Sequence, residues 1–384
     1  MKKRVLSLLS VAAILAFSGE ATLLLPGYAQ KPASPSQSMQ NVDPVKGWQL
    51  YLMAGNASVR KHDMARALYY FKLSEACARK IPGKDGINKL DASLKIIASV
   101  YNQTRQYSEA ALYGRQVVEL NKASHQPSDE IATNLNALAK MLKKAGKYTE
   151  SEQAYREALA ALGPKLQTSL DSATIHDNLG LVYQEEKHYD KAIAEHQLAY
   201  NLYRKLVGDG NKDTAYCQMN LAEAYIGLKD YAKAEPLLNS ARTIIEKTEG
   251  SSSVAMASLL DNIGMLYSRT NRLTEAEEIQ KRALVLVEKY HGHFSADVAV
   301  SLNNLATTYS LENKNDEAKR TSAEACSIAT KVLGGNHPIT KRCISVLDGI
   351  LGKGLKQEPA TTLTPATTPA TSSTSTPATS QASQ

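Results

Sequence analysis

Residues 298 to 339 read VAVSLNNLATTYSLENKNDEAKRTSAEACSIATKVLGGNHPI, and the rest of the chain repeats this stretch with variations. Leu305, Ala306, Tyr309, Ala318 and Ala325 recur 42 residues earlier as Ile263, Gly264, Tyr267, Ala276 and Ala283. Two more steps of 42 reach Leu221, Ala222, Tyr225, Ala234 and Ala241, then Leu179, Gly180, Tyr183, Ala192 and Ala199. Two steps of 41 follow, to Leu138-Ala139 and Ile97-Ala98, and a worn copy stands at Ala54-Gly55. A period of this size means a stack of like units, each burying its apolar face only against its neighbours.

Periodicity decides what each unit is. Leu302, Leu305, Ala306 and Tyr309 fall at i, i+3, i+4 and i+7, one apolar stripe on one helix. A second helix follows from Asp316, turning Ala318, Ala325 and Ile328 inward, and no alternating strand pattern interrupts the series. Alanine or glycine at fixed sites lets the helix axes come close, since side chains at the contact set that distance. The expected fold is therefore all-α, a right-handed solenoid of seven antiparallel helix pairs. A lone helix from Pro338 to Leu351 caps it, with Ile344, Leu347 and Ile350 facing in.

The sequence LNNLA at Leu302–Ala306, the run from Glu275 to Leu284, and Leu333-Gly334 with His337-Pro338 resemble the tetratricopeptide domain of kinesin light chains. The resemblance covers about residues 47 to 350. It implies a tetratricopeptide solenoid and a role in binding proteins, and it leaves the partner open.

Punctuation supports the same division. Gly208, Gly250, Gly292 and Gly334 stand 42 apart, each where a second helix ends. They read as left-handed caps, a conformation glycine takes without steric cost. Pro82-Gly83 and Asp85-Gly86 predict a turn before the second unit, and Pro236 predicts a kinked or frayed first turn.

The chain ends differ from the middle. Lys2-Lys3-Arg4, then an apolar run from Val5 to Phe17, then Gly27-Tyr28-Ala29 predict a signal peptide over residues 1–29, with the mature chain starting at Gln30. The expected location is periplasm, cell envelope or secreted, with no transmembrane span after cleavage. Residues 30–46 predict a disordered lead-in, 47–352 the solenoid, and 353–384 a Pro/Ala/Thr/Ser-rich disordered tail whose last charge is Glu358. Net charge is +7, and loss of residues 1–29 leaves +5. The basic excess lies in the N-terminal units, where residues 43–165 hold 19 basic and 12 acidic side chains. Without a basic-aromatic stripe, nucleic acid is not an expected partner.

Enzyme chemistry leaves no trace. HExxH, GxSxG, the P-loop and a Cys-His nucleophile signature are all missing from the sequence, and no cofactor is expected. Cys77, Cys217, Cys326 and Cys343 lack metal spacing and read first as buried thiols. A Cys326–Cys343 disulfide would join the last second helix to the cap in an oxidising compartment. His291 and His293 read as linker decoration, His188 and His196 as surface residues.

One polar column stands out. Asn178, Asn220, Asn262 and Asn304 are each one period apart, and on an ideal helix they point about 150° from the apolar stripe. On a concave face such amides would bracket the backbone of an extended peptide, donating and accepting at once. The second Asn of LNNLA does this in the resembled domain. The other reading makes each amide a brace to the neighbouring helix. The resembled family places basic residues four positions before that Asn. Here Thr174, Tyr216, Ser258 and Val300 stand there, so a taste for acidic peptides does not carry over. The expected function is an exported scaffold binding a protein or extended peptide on its concave face. The alternatives are a purely structural envelope component, or an accessory factor in envelope polysaccharide assembly or export.

Overall fold

A computed structural model describes residues 43–352, all of whose regular elements are α-helices. The first helices of the seven units are α1 (Pro44–Arg60), α3 (Gly83–Gln103), α5 (Ser128–Lys144), α7 (Leu170–Glu185), α9 (Lys212–Gly227), α11 (Val254–Arg269) and α13 (Ala296–Leu311). Their partners are α2 (Met64–Ala78), α4 (Tyr107–Ala123), α6 (Tyr148–Leu166), α8 (Tyr189–Val207), α10 (Tyr231–Thr248), α12 (Leu273–His291) and α14 (Asn315–Leu333). The cap is α15 (Pro338–Ile350). The expected signal peptide, the tail and nearly all of the lead-in lie outside the described residues.

Local sequence explains where each helix starts and stops. Ser169, Asn211, Ser253 and Ser295 are one period apart, and each side chain accepts a first-turn backbone N–H of α7, α9, α11 or α13. His337 holds the same place before α15, where its ring nitrogen takes the Ile339 N–H. Three residues ahead of the last four of these caps stand Gly208, Gly250, Gly292 and Gly334, all at positive φ. The conformation is not the simple left-handed cap expected. Gly208, Gly292 and Gly334 combine φ of 74° to 88° with ψ of 156° to 165°, a region essentially closed to any side chain.

Two punctuation marks act differently from expectation. Asp85 and Gly86 lie in the first turn of α3, because a Cβ at Gly86 would strike the Ile81 carbonyl and only glycine lets the chain enter the helix so tightly. Helix α10 runs from Tyr231 to Thr248 through Pro236. The break falls instead in α6, at Gly163 (φ 65°, ψ 175°) just before Pro164.

Packing sets the curvature. The alanine columns Ala192, Ala234, Ala276, Ala318 and Ala199, Ala241, Ala283, Ala325 are wholly buried, which is what brings the paired helices together. Each first helix from α5 onward also touches the first helix of the next unit, and α13 touches α15, whereas the second helices make no comparable contact with one another. First helices therefore form the inner, concave wall, and second helices splay on the outside. Among the described residues no helix is long and apolar enough to cross a membrane.

Candidate functional site

Different side chains fasten the two walls. Across the splayed outer helices long charged groups reach: Arg115 to Glu150 at 2.6 Å and Lys122 to Glu157 at 2.9 Å, both from α4 to α6. Across the close inner helices short amides and hydroxyls suffice. Asn178 Nδ2 donates to Asn136 Oδ1 at 3.2 Å, Asn220 Nδ2 to Asp177 Oδ2 at 2.9 Å, and Ser301 Oγ to Asp261 Oδ2 at 2.6 Å.

The asparagine column is thus not an open row of amides. Asn178 and Asn220 each bond the preceding inner helix, and Asn262 is only 2% exposed, with its Oδ1 lacking a partner within the protein. Asn304 stays half-buried. The angle of 150° from a helix's own apolar stripe does lead away from its own unit, but it leads onto the preceding inner helix. Asn220→Ala should therefore strand a carboxylate oxygen and cost roughly 1.5–3 kcal/mol of stability, the range for a hydrogen bond to a charged group. Asn304→Ala should change stability by less than about 0.5 kcal/mol. Urea unfolding of the two variants checks the pair.

His196 is the center of the densest polar knot. Expected at the surface, it is fully buried, because Gly180 on α7 leaves room for its ring; a Cβ at Gly180 would lie 2.6 Å from it. Its Nδ1 faces Asp177 Oδ1 at 2.7 Å and its Nε2 faces Gln184 Oε1 at 3.1 Å. Gln184 in turn donates to the Asn220 carbonyl at 3.2 Å, so the knot ties the fourth unit to the fifth. Two units later Asp261 occupies the position of Asp177, but Gln280 stands where His196 would be, and Gln280 accepts from Thr308 instead. Asp261 has no cation to answer it. Burial pushes its carboxyl up to about 7, against the Ser301 hydrogen bond, and Asp297 adds repulsion.

The inner wall also carries charged groups. Lys140, Lys143 and Lys144, at the end of α5, are all held below the ordinary lysine range, chiefly by burial. Glu185 at the end of α7 is raised by burial while Lys143 and Arg342 oppose the rise. Arg342 belongs to the cap α15 and Lys143 to α5 of the third unit, and both charges act on Glu185. Arg105, in the turn after α3, acts likewise on Asp297 and on His337 at the start of α15. The winding brings the second unit's turn back toward the last. Lys143, Glu185 and Arg342 are each half-buried.

The remaining candidates resolve simply. Cys326 and Cys343 stand as free thiols on the packed helices α14 and α15. His291 pairs with Asp297 at 2.8 Å and His293 with Glu288 at 2.8 Å.

The fold and this inner wall define an all-α helical-repeat solenoid, the architecture of a protein-interaction scaffold. Its repeats are tetratricopeptide repeats: residues 171–247 and 255–331 match one tetratricopeptide family model and residues 132–161 another. Among solved structures, the apo form of RapI is similar with a TM-score of 0.61 and 16% identity, over 74% of this chain and 98% of that one. Aspartyl phosphate phosphatase F from Bacillus subtilis aligns with a TM-score of 0.60 and 14% identity, over 78% of this chain and 74% of that one. Kinesin-light-chain-like repeats from Podosopora anserina align with a TM-score of 0.43 and 18% identity, over 54% of this chain and 98% of that one. At these identities the likeness concerns fold alone. A sequence search among curated proteins finds no match.

Proposed function

We propose that this protein is an exported, non-catalytic scaffold that holds an extended segment of a partner protein against its concave face. The observation that carries the reading is the continuous inner wall of first helices, each touching the next from α5 onward and lined by half-buried polar and charged groups such as Asn304, Lys143 and Glu185. A curved wall of that kind suits an extended chain. Its polar groups can match backbone amides without demanding a particular sequence. The cluster Lys140, Lys143, Lys144 and Arg105 favours an acidic stretch at the N-terminal end, where Lys144 already feels Arg105 repulsion. Asn304 is the ladder amide left to reach the ligand, while Asn178 and Asn220 brace the wall. Export is supported by Lys2-Lys3-Arg4, the apolar run after it and Gly27-Tyr28-Ala29.

A peptide library displayed on phage tests the reading. Peptides enriched on the full chain should lose at least about tenfold in affinity on Thr307→Trp, which fills the inner wall on α13 and corresponds to about 1.4 kcal/mol. The same peptides should bind normally to Leu112→Glu on the outer helix α4. Equal binding by Thr307→Trp, or no enrichment at all, favours a purely structural envelope role.

A further inference from the structure

We propose that Cys326 and Cys343 form an oxidisable dithiol whose disulfide locks the terminal helix α15 onto the last repeat. Cys326 lies on α14 and is 8% exposed; Cys343 lies on α15 and is 1% exposed. Both belong to one apolar core, both are free thiols, and their helices α14 and α15 pack directly on each other. A sequence separation of 17 residues and two packed helices place them where a short cross-link closes a small loop.

The other cysteines lack this arrangement. Cys217 occupies the inner-helix position of Cys343 three periods earlier, but its thiol donates to the His196 carbonyl at 3.4 Å. Burial raises Cys217 well above the ordinary thiol range and raises Cys77 as well. Cys343 moves the other way. The hydrogen bond from Cys326 lowers it, burial opposes, and the Arg342 charge helps, whereas Cys326 is pushed up.

Access comes from the end of the solenoid. Helix α15 packs on α13 and α14; Ile344, expected to face in, is instead exposed on its far side, as is Leu351 just past its end. A terminal helix with neighbours on one side opens more readily than one inside the stack. In the opened state the Cys343 thiolate attacks one sulfur of a small disulfide such as oxidised glutathione, forming a mixed disulfide and expelling one glutathione thiolate. As α15 re-docks, the Cys326 thiolate attacks the Cys343 sulfur, forms the protein disulfide and expels the second glutathione thiolate. The two protein thiols lose two electrons and two protons, and the reagent takes them up as two glutathione thiols.

The full chain, incubated in oxidised and reduced glutathione mixtures, should yield a non-reduced peptide joining Cys326 to Cys343, with Cys77 and Cys217 left as thiols. Hydrogen exchange through opening of α15 should slow on the order of 100-fold in that form, as closing a loop of this size predicts. The slowing should reverse with dithiothreitol and be absent in both Cys326→Ser and Cys326→Ala. Glutathione adducts without the cross-linked peptide overturn the proposal, as does a cross-link that leaves exchange of residues 338–350 unchanged.

Discussion

Replacing Asp261 with asparagine should stabilise the protein at pH 8 by about 4 kcal/mol and leave its stability near pH 3 almost unchanged. The folded-state pKa stands at about 7, up from 3.8, so the native protein binds the proton more tightly than the unfolded chain does. Below the unfolded value both states are protonated and the carboxyl costs nothing. Between 3.8 and about 7 the unfolded chain gives up its proton while the folded one keeps it, and stability falls by about 1.4 kcal/mol per pH unit. Above 7 the full penalty of a buried, unanswered carboxylate is in place. Asparagine keeps one oxygen to accept from Ser301 and carries no charge, and the chain itself places Asn303 at the same position one period later. Urea unfolding of both proteins from pH 4 to pH 8, read alongside hydrogen exchange in α11, measures the difference. Parallel curves across that range would mean Asp261 does not titrate near 7.

His196→Ala should act oppositely, costing roughly 3–5 kcal/mol. The substitution removes a fully buried ring, leaves a cavity against Gly180, and takes away the groups facing Asp177 and Gln184 together. The loss should appear first as faster exchange in α7, α8 and α9, because the knot joins those helices. A change of less than about 1 kcal/mol would show that the ring only fills space. Asp177 and Asp261 make an instructive pair: the same column carries the same residue, and the residue 19 positions later decides whether it is answered by His196 or left with Gln280.

Much of this was legible in the sequence, for one reason. A strict period turns a single well-read unit into a reading of all its neighbours, so the helix pairs, the alanine columns, the glycine caps and the α15 cap all follow from residues 298 to 339. The Asn211, Ser253 and Ser295 caps lie three residues after the glycine column and could have been found from it, with Ser169 one period before Asn211. The asparagine column was visible, but its surroundings were not. A helical wheel gives a direction relative to one helix, whereas the fate of Asn178 and Asn220 depends on how closely the next inner helix lies. His196 failed for a related reason: its burial requires Gly180 and Asp177 from another helix, a coincidence that no local pattern announces. The reach of Arg342 is more remote still. Its charge acts on Glu185 only through the accumulated winding of several units, which depends on small rotations at every interface.

The scaffold reading turns on which wall meets the partner. A photo-crosslinking residue placed singly at Leu181 and Thr307 on inner helices, and at Leu112 and Val285 on outer ones, would map that wall in the native host using the full chain. Leu112 and Val285 are well exposed, so failure there would not reflect burial. The account predicts discrete polypeptide adducts from Leu181 and Thr307, traceable to one extended segment of the captured chain, and none from Leu112 or Val285. Adducts confined to the outer positions, or the same adducts from both walls, would contradict it.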